Sequence, residues 1–160
     1  MADVHDPTTR SRNMAAIRGR DTKPELIIRK GLHARGFRFR LHGRDLPGRP
    51  DLIFPKYQAL IWVHGCFWHG HDCPMFHWPK SHEEFWRAKI GRNQERDATT
   101  WTAARAGGWR CGIVWECALK GRGHLPPGQV IDSLSCWLSS DAEEFCIEGQ
   151  WIDNAAHPPA

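Results

Sequence analysis

The pattern of apolar and polar positions divides the chain into short elements with clear punctuation. Thr22-Lys23-Pro24-Glu25 has the form of a capping box with proline in the first turn, and it opens a helix that Gly36 stops. Phe37, Phe39 and Leu41 then alternate with Arg38 and Arg40, the period of a half-buried strand. Leu46-Pro47-Gly48-Arg49-Pro50 reads as a turn, and Asp51-Leu52-Ile53-Phe54 resumes an extended run. The unbroken stretch Ala59-Leu60-Ile61-Trp62-Val63 predicts a strand buried on both faces. Residues 64–80 are dense in His, Cys, Trp, Pro and Gly and have no period. Ser81-His82-Glu83-Glu84 can cap a helix carrying Phe85, Trp86, Lys89 and Ile90. A second helical stretch, from about Arg92 to Ala106, stops at Gly107-Gly108. Trp109 to Trp115 is another buried strand, and Val130 to Leu138 a last short helix. Signals weaken past Asp141.

Strands alternating with helices predict an α/β fold, a mixed sheet covered by helices, with the strand order left open. The expected organisation is a basic N-terminal arm over 1–20 with a short helix from Thr9 to Ile17, one domain over 21–140, and a divergent, flexible tail over 141–160. At 160 residues the chain can bury a core without disulfides, and 41% hydrophobic with 25% charged residues excludes wholesale disorder. No apolar run approaches a membrane span, and the start lacks the apolar stretch of a secretory signal. A cytoplasmic protein is expected, with its six cysteines as thiols or metal ligands.

Charge changes this picture. Residues 1–50 carry 12 Lys+Arg against 5 Asp+Glu, whereas residues 101–160 carry 4 against 7. Positive charge gathered in one part of the chain is a footprint for a polyanion, nucleic acid being the common one. A solvated basic surface is the plainer alternative.

Three groups of residues carry candidate chemistry. Cys66, His71 and Cys73 place two thiolates and an imidazole in a loop without core pattern, a soft donor set suited to structural zinc. Cys117, following a buried strand, is the best fourth ligand; Cys111, inside that strand, is expected to pack as a small apolar residue. Three ligands with water would instead be catalytic, and a His-rich loop with incidental cysteines would hold no metal. Next, Asp51 opens one strand and His64 ends the next, so a carboxylate and an imidazole can converge on magnesium and on a water attacking a phosphodiester. Taken singly, Asp51 is a turn cap and His64 a core histidine. Finally, Phe67-Trp68 and the helical face Trp86, Lys89, Asn93 offer aromatic planes, an amine and an amide that can stack on bases and bond their edges. The same aromatics could equally pack on one another in the core.

These residues also carry a resemblance. Thr9-Arg10-Ser11 with Asn13-Met14, Leu46-Pro47-Gly48-Arg49-Pro50-Asp51, His64-Gly65-Cys66-Phe67-Trp68-His69, Glu84-Phe85-Trp86, Lys89-Ile90-Gly91 and Val114-Trp115-Glu116-Cys117-Ala118-Leu119 resemble, in order, the very short patch repair (Vsr) endonucleases, as far as about residue 123. The resemblance implies a restriction-endonuclease-like mixed central sheet flanked by helices, with a structural zinc loop. It implies strand-specific, magnesium-dependent nicking 5′ of the mispaired thymine in T·G mismatches that arise when 5-methylcytosine deaminates. Asp51 would bind magnesium with the Val63 carbonyl, and His69 would be general base or acid. His64, oriented by Asp97, would support the phosphate or the water on the metal, and Glu25 would hold a further water. Zinc would take Cys66, His71, Cys73 and Cys117. Phe67, Trp68 and Trp86 would wedge beside the mismatch with Met14 from the other groove, while Lys89 and Asn93 read the wobble pair. Double-stranded DNA is then the partner, bound by a monomer with no membrane association. A cytosine-5 DNA methyltransferase and mismatch-repair proteins would be its functional companions.

Two departures from the family pattern stand out. The second carboxylate and lysine of typical restriction-like nucleases are missing after Asp51, where Trp62-Val63-His64 stands, and Val63 occupies a place that can hold threonine. Gly70 stands where a histidine can occur. A matched-duplex restriction nuclease of the same fold and a zinc-stabilised DNA-binding module are the competing readings.

Overall fold

The computed structural model describes residues 21–151; the basic arm with Met14, the Thr9–Ile17 helix and residues 152–160 lie outside the described residues. The first helix, α1, spans Lys23–Ala34. Thr22 caps it, its hydroxyl accepting from the Glu25 N–H, while the Glu25 carboxylate reaches back to the N–H of Asp21 rather than that of Thr22. The capping box therefore closes one residue further upstream than its spacing predicts. Arg40–Leu41 form β1, Leu52–Phe54 β2 and Ala59–His64 β3, with a 3-10 turn at Pro55–Tyr57 between the last two. Helix α2 runs over Glu83–Ala106, β4 over Arg110–Trp115, a 3-10 turn over Glu116–Ala118, helix α3 over Pro127–Leu138 and β5 over Glu144–Ile147.

The sheet is mixed, in the order β1-β2-β3-β4-β5. The first two pairings are antiparallel and the last two parallel. Helices α1 and α3 cover one face. There Ile28 and Leu32 of α1 meet Val130, Ile131 and Leu134 of α3 over Leu52, Phe54, Ala59, Ile61 and Val114. Gly31 permits that approach, because a Cβ there would collide with the side chain of Ile131. The other face holds a smaller cluster of Ile53, Leu60, Trp62, Ala104 and Cys111, packed with Trp101 and Trp109. Cys111 is thus the small core residue that its place in a strand predicts.

Three readings change. The two helical stretches are one helix of 24 residues, about 36 Å long at the α-helical rise, with Gly91 inside it. Only Ile90 and Ala104 of α2 are fully buried. Its inward stripe of Trp86, Ile90, Asn93, Asp97, Trp101 and Ala104 mixes aromatic, amide and acid, so no apolar period runs through it. The strand expected over 37–41 shrinks to Arg40–Leu41, because Phe37 and Phe39 insert into the core as anchors without pairing in the sheet. Past Asp141, where signals weaken, Glu144–Ile147 adds an ordered edge strand parallel to β4.

Truncating a side chain at the α1–α3 seam tests the main core. Leu134 is fully buried there, and Leu134→Ala is expected to lower stability by about 2–5 kcal/mol in urea unfolding.

Candidate active site

The pairing of β3 with β4 assembles the site. His64 lies opposite Trp115 at the ends of the two strands, so the chain leaves both side by side. Two residues further on come Cys66 and Cys117, both buried. The Cys66 N–H is fixed by the Glu116 carboxylate at 3.1 Å. The loop then folds back, His71 N–H donating to Cys66 O at 2.9 Å. As a result the donor atoms of Cys66, His71, Cys73 and Cys117 lie within 4.8 Å of one another. His71 Nδ1 stands 3.5 Å from Cys66 Sγ and 3.6 Å from Cys117 Sγ. Burial pushes the thiols of Cys66 and Cys117 up, and burial holds the imidazole of His71 down. Clustered thiols in a buried site fit a soft divalent ion, which would displace their protons and satisfy four donors at once.

Two residues the sequence reading passed over complete this cluster. Glu148, just after β5, stands 3.5 Å from His71 Nε2, and the Gly149 N–H donates to Cys117 Sγ at 3.3 Å. A carboxylate behind a ligand histidine fixes its tautomer and orientation. Trp115 stacks on His71 at 3.9 Å. The only signal available was a lone acid in a stretch without pattern.

Beside this cluster a cleft of about 750 Å³ opens. Glu25 from α1, Asp51 from the start of β2, His64, His69 and Asp97 of α2 all line it, together with Phe67 and Trp68. The Asp51 carboxylate accepts the Val63 N–H at 2.7 Å. Burial pushes the Asp51 carboxyl up to about 7, the Val63 N–H opposing and the neighbouring Glu25 carboxylate adding to the rise. Two carboxylates held together out of water fit a hard divalent cation. The Val63 side chain packs into the α1–α3 core, so that position offers its backbone to the cleft and its β-branched group to the interior.

His69 Nδ1 meets Asp97 at 2.6 Å. The resemblance implied that Asp97 orients His64; Asp97 instead faces His69, because the loop carries His69 out to α2 while His64 stays at the strand end. His64 stacks flat on His69 with centroids 3.8 Å apart. Burial and then the adjoining His69 push the His64 imidazole down to about 3, and its buried Nδ1 has no partner among the described residues. His64 is therefore an uncharged plate behind a carboxylate-held histidine.

The aromatic residues pack on one another, and Phe67 and Trp68 also line the cleft. Phe67 contacts Trp68 and Trp86 with centroids 5.2 and 5.3 Å away, and all three are half-buried. Asn93 donates its amide to Trp68 O at 2.8 Å, so in this structure it holds the wedge loop in place. Lys89 lies half-buried on the same helix face. Gly70 has a left-handed backbone, φ +60°, where a Cβ would collide with Gln94 and Ile90 of α2. A side chain at that position is incompatible with the loop as it is folded here.

DNA mismatch endonuclease Vsr of Escherichia coli (strain K12) is 44% identical over 152 residues, 95% of this chain and 97% of its own length. The chain belongs to the Vsr family. The family model described as DNA mismatch endonuclease Vsr matches residues 2–75. Type II nicking enzyme V.XorIIP of Xanthomonas oryzae pv. oryzae is 45% identical over 125 residues, 78% of this chain and 92% of its own. Type II nicking enzyme V.NmeAIP of Neisseria meningitidis serogroup A is 41% identical over 122 residues, 76% and 87% of the two chains. As a Vsr-family member the protein is a DNA endonuclease, a hydrolase, which sets aside the reading as a binding module. No helix of the described residues is long and apolar enough to cross a membrane.

Two outcomes test the geometry of this Vsr-family site. Asp97→Asn, which removes the charge facing His69, is expected to slow strand cleavage by about 10²-fold or more with DNA binding retained. Glu148→Gln is expected to speed metal loss to a chromophoric chelator about tenfold, as loss of such a supporting partner does elsewhere.

Proposed function

We propose that this enzyme nicks one strand of duplex DNA, 5′ of the mispaired thymine in a T·G mismatch. The observation that carries this reading is the cleft that sets Asp51 and Glu25 opposite the His69–Asp97 pair, with Phe67 and Trp68 on its wall. Relatives named as nicking enzymes favour one cut over two. The core is of the restriction-endonuclease-like type, serving in very short patch repair after a cytosine-5 DNA methyltransferase and alongside mismatch-repair proteins. The protein acts as a cytoplasmic monomer.

Asp51 and the Val63 carbonyl would hold magnesium, with Glu25 beside them. When bound, this ion supplies Lewis acidity at the scissile phosphate. The chain's own residues do the rest. Asp97 takes the Nδ1–H of His69, leaving Nε2 as the acceptor for the proton of the attacking water. The water oxygen bonds to phosphorus, the ester P–O bond on the leaving side breaks, and the departing oxygen is protonated from solvent. His64 backs the His69 ring and, its basicity lowered by burial, does not compete for that proton. Arg49 and Arg96 bring positive charge to the cleft walls for the strand phosphates. Zinc at Cys66, His71, Cys73 and Cys117 would be structural, because four protein donors leave no open position.

Phe67, Trp68 and Trp86 supply the wedge. Unstacking costs a few kcal/mol per step and least at a mismatch, so an aromatic insert favours damaged pairs. Lys89 and the acceptor side of Asn93 remain for the wobble pair, and Met14, outside the described residues, would approach from the other groove.

A strand-labelled duplex with one T·G pair, beside a matched T·A control, tests the reading. Magnesium-dependent cutting of the thymine strand in the mismatch alone is expected; cutting of both strands, or of the matched duplex, would overturn it. Asp51→Asn is expected to abolish nicking with mismatch binding kept, and Trp68→Ala to weaken that binding by about 1–3 kcal/mol.

A further inference from the structure

Behind Glu25 lies a network that the reaction as described does not use. The Arg29 guanidinium, one turn along α1, reaches three partners: Asp21 Oδ1 at 2.8 Å, Glu25 Oε2 at 2.9 Å and His42 Nε2 at 3.1 Å. Its side chain is 13% exposed, and that of Glu25 is 3% exposed. Glu25 Oε2 also accepts the Asp21 N–H at 2.8 Å, so this oxygen is fully engaged and the carboxylate cannot swing freely. His42 is in turn tied to the strand start that carries Asp51, its N–H donating to Asp51 O at 3.3 Å. Asp21 and His42 both adopt left-handed backbone, φ 58° and 52°. Non-glycine residues in that region hold a small strain that surrounding contacts must maintain. Arg29 thus bridges the helix that supplies one cleft carboxylate to the hairpin that supplies the other.

We propose that Arg29 is a positioning residue for the divalent-metal site, its forked guanidinium locking the Glu25 carboxylate against Asp51 by way of Asp21 and His42. The inference rests on the assignment of Asp51 to magnesium. A guanidinium suits this role because its planar fork meets two acceptors in fixed directions, which an ammonium cannot do. The position also creates opposed effects. Positive charge near the site repels a cation, whereas fixing Glu25 favours its binding. Loss of Arg29 therefore weakens metal binding only if positioning outweighs repulsion, and the sign of the change decides between them.

The test uses the full-length, zinc-loaded protein with a T·G duplex carrying a nonhydrolysable linkage at the nick site. Mn²⁺ is titrated and free ion is read by electron paramagnetic resonance. Arg29→Met keeps an unbranched apolar stem and removes the charge and the fork. It is expected to weaken Mn²⁺ binding about tenfold or more, the size seen when a ligand loses its supporting partner. Arg29→Lys, which restores charge without the fork, is expected to recover only part of that loss. Unchanged or tighter Mn²⁺ binding in Arg29→Met, or full recovery in Arg29→Lys, overturns the proposal. Should Arg29→Met not fold, Asp21→Asn serves in its place, since it loosens the guanidinium from one side and is expected to shift binding in the same direction; an unshifted midpoint there overturns the proposal too. Absence of Mn²⁺ binding in the unaltered protein, or of nicking by it on the cleavable T·G duplex, would fail the magnesium assignment itself, an outcome distinct from a variant that matches it.

Discussion

The register of β3 against β4 is the constraint on which the site depends. Ala59 faces Arg110 and His64 faces Trp115 without a slip between them. A parallel ladder of six pairs between two core clusters tolerates no shift, because a one-residue slip would turn every side chain of the strand to the opposite face. That fixed exit brings Cys66 beside Cys117, places Glu116 under the Cys66 N–H and sets His64 where His69 can stack on it. β5 extends the same logic. Val114 pairs with Ile147, so the residues that follow, Glu148 and Gly149, arrive at His71 and Cys117.

Around that exit the two faces of the sheet contribute different chemistry. From the α1 face comes acid: Glu25, braced by Arg29, beside Asp51. From the α2 face come His69 through its contact with Asp97, and Asn93 through its hold on Trp68. One short segment, 64–73, carries both the soft donors and the cleft histidines. The two groups are spatially distinct, since Cys117 and His71 meet Gly149 and Glu148 after β5 while His69 lines the cleft.

Burial sets the protonation of His64. His64, deep and backed by another imidazole, is kept uncharged, whereas His69 faces a carboxylate at the cleft edge. Two rings 3.8 Å apart could not both carry charge cheaply in such surroundings. The pair is therefore asymmetric: one ring lies buried at the strand end, and the other is held by Asp97 at the cleft.

What the amino-acid order determines by itself is local. The capping box at Thr22, the apolar run at Ala59–Val63, the Gly107-Gly108 stop and the soft donors of the 64–73 loop are all readable, because each depends on neighbours within a turn or a strand. The likeness of the motifs further pointed to candidate residues, which the fold brings to one cleft and its neighbouring cluster. Tertiary structure decided what depends on distant partners. Helix α2 reads as two pieces because its inward face mixes aromatic, amide and acid rather than repeating an apolar period. β5 carries no readable pattern because its four residues, none fully buried, join the sheet through backbone bonds to β4. That Asp97 serves His69, that Glu148 backs His71, and that Arg29 spans α1 and the β1–β2 hairpin follow from side chains many residues apart. No periodicity records such meetings, since they are fixed only when the sheet closes and the helices dock.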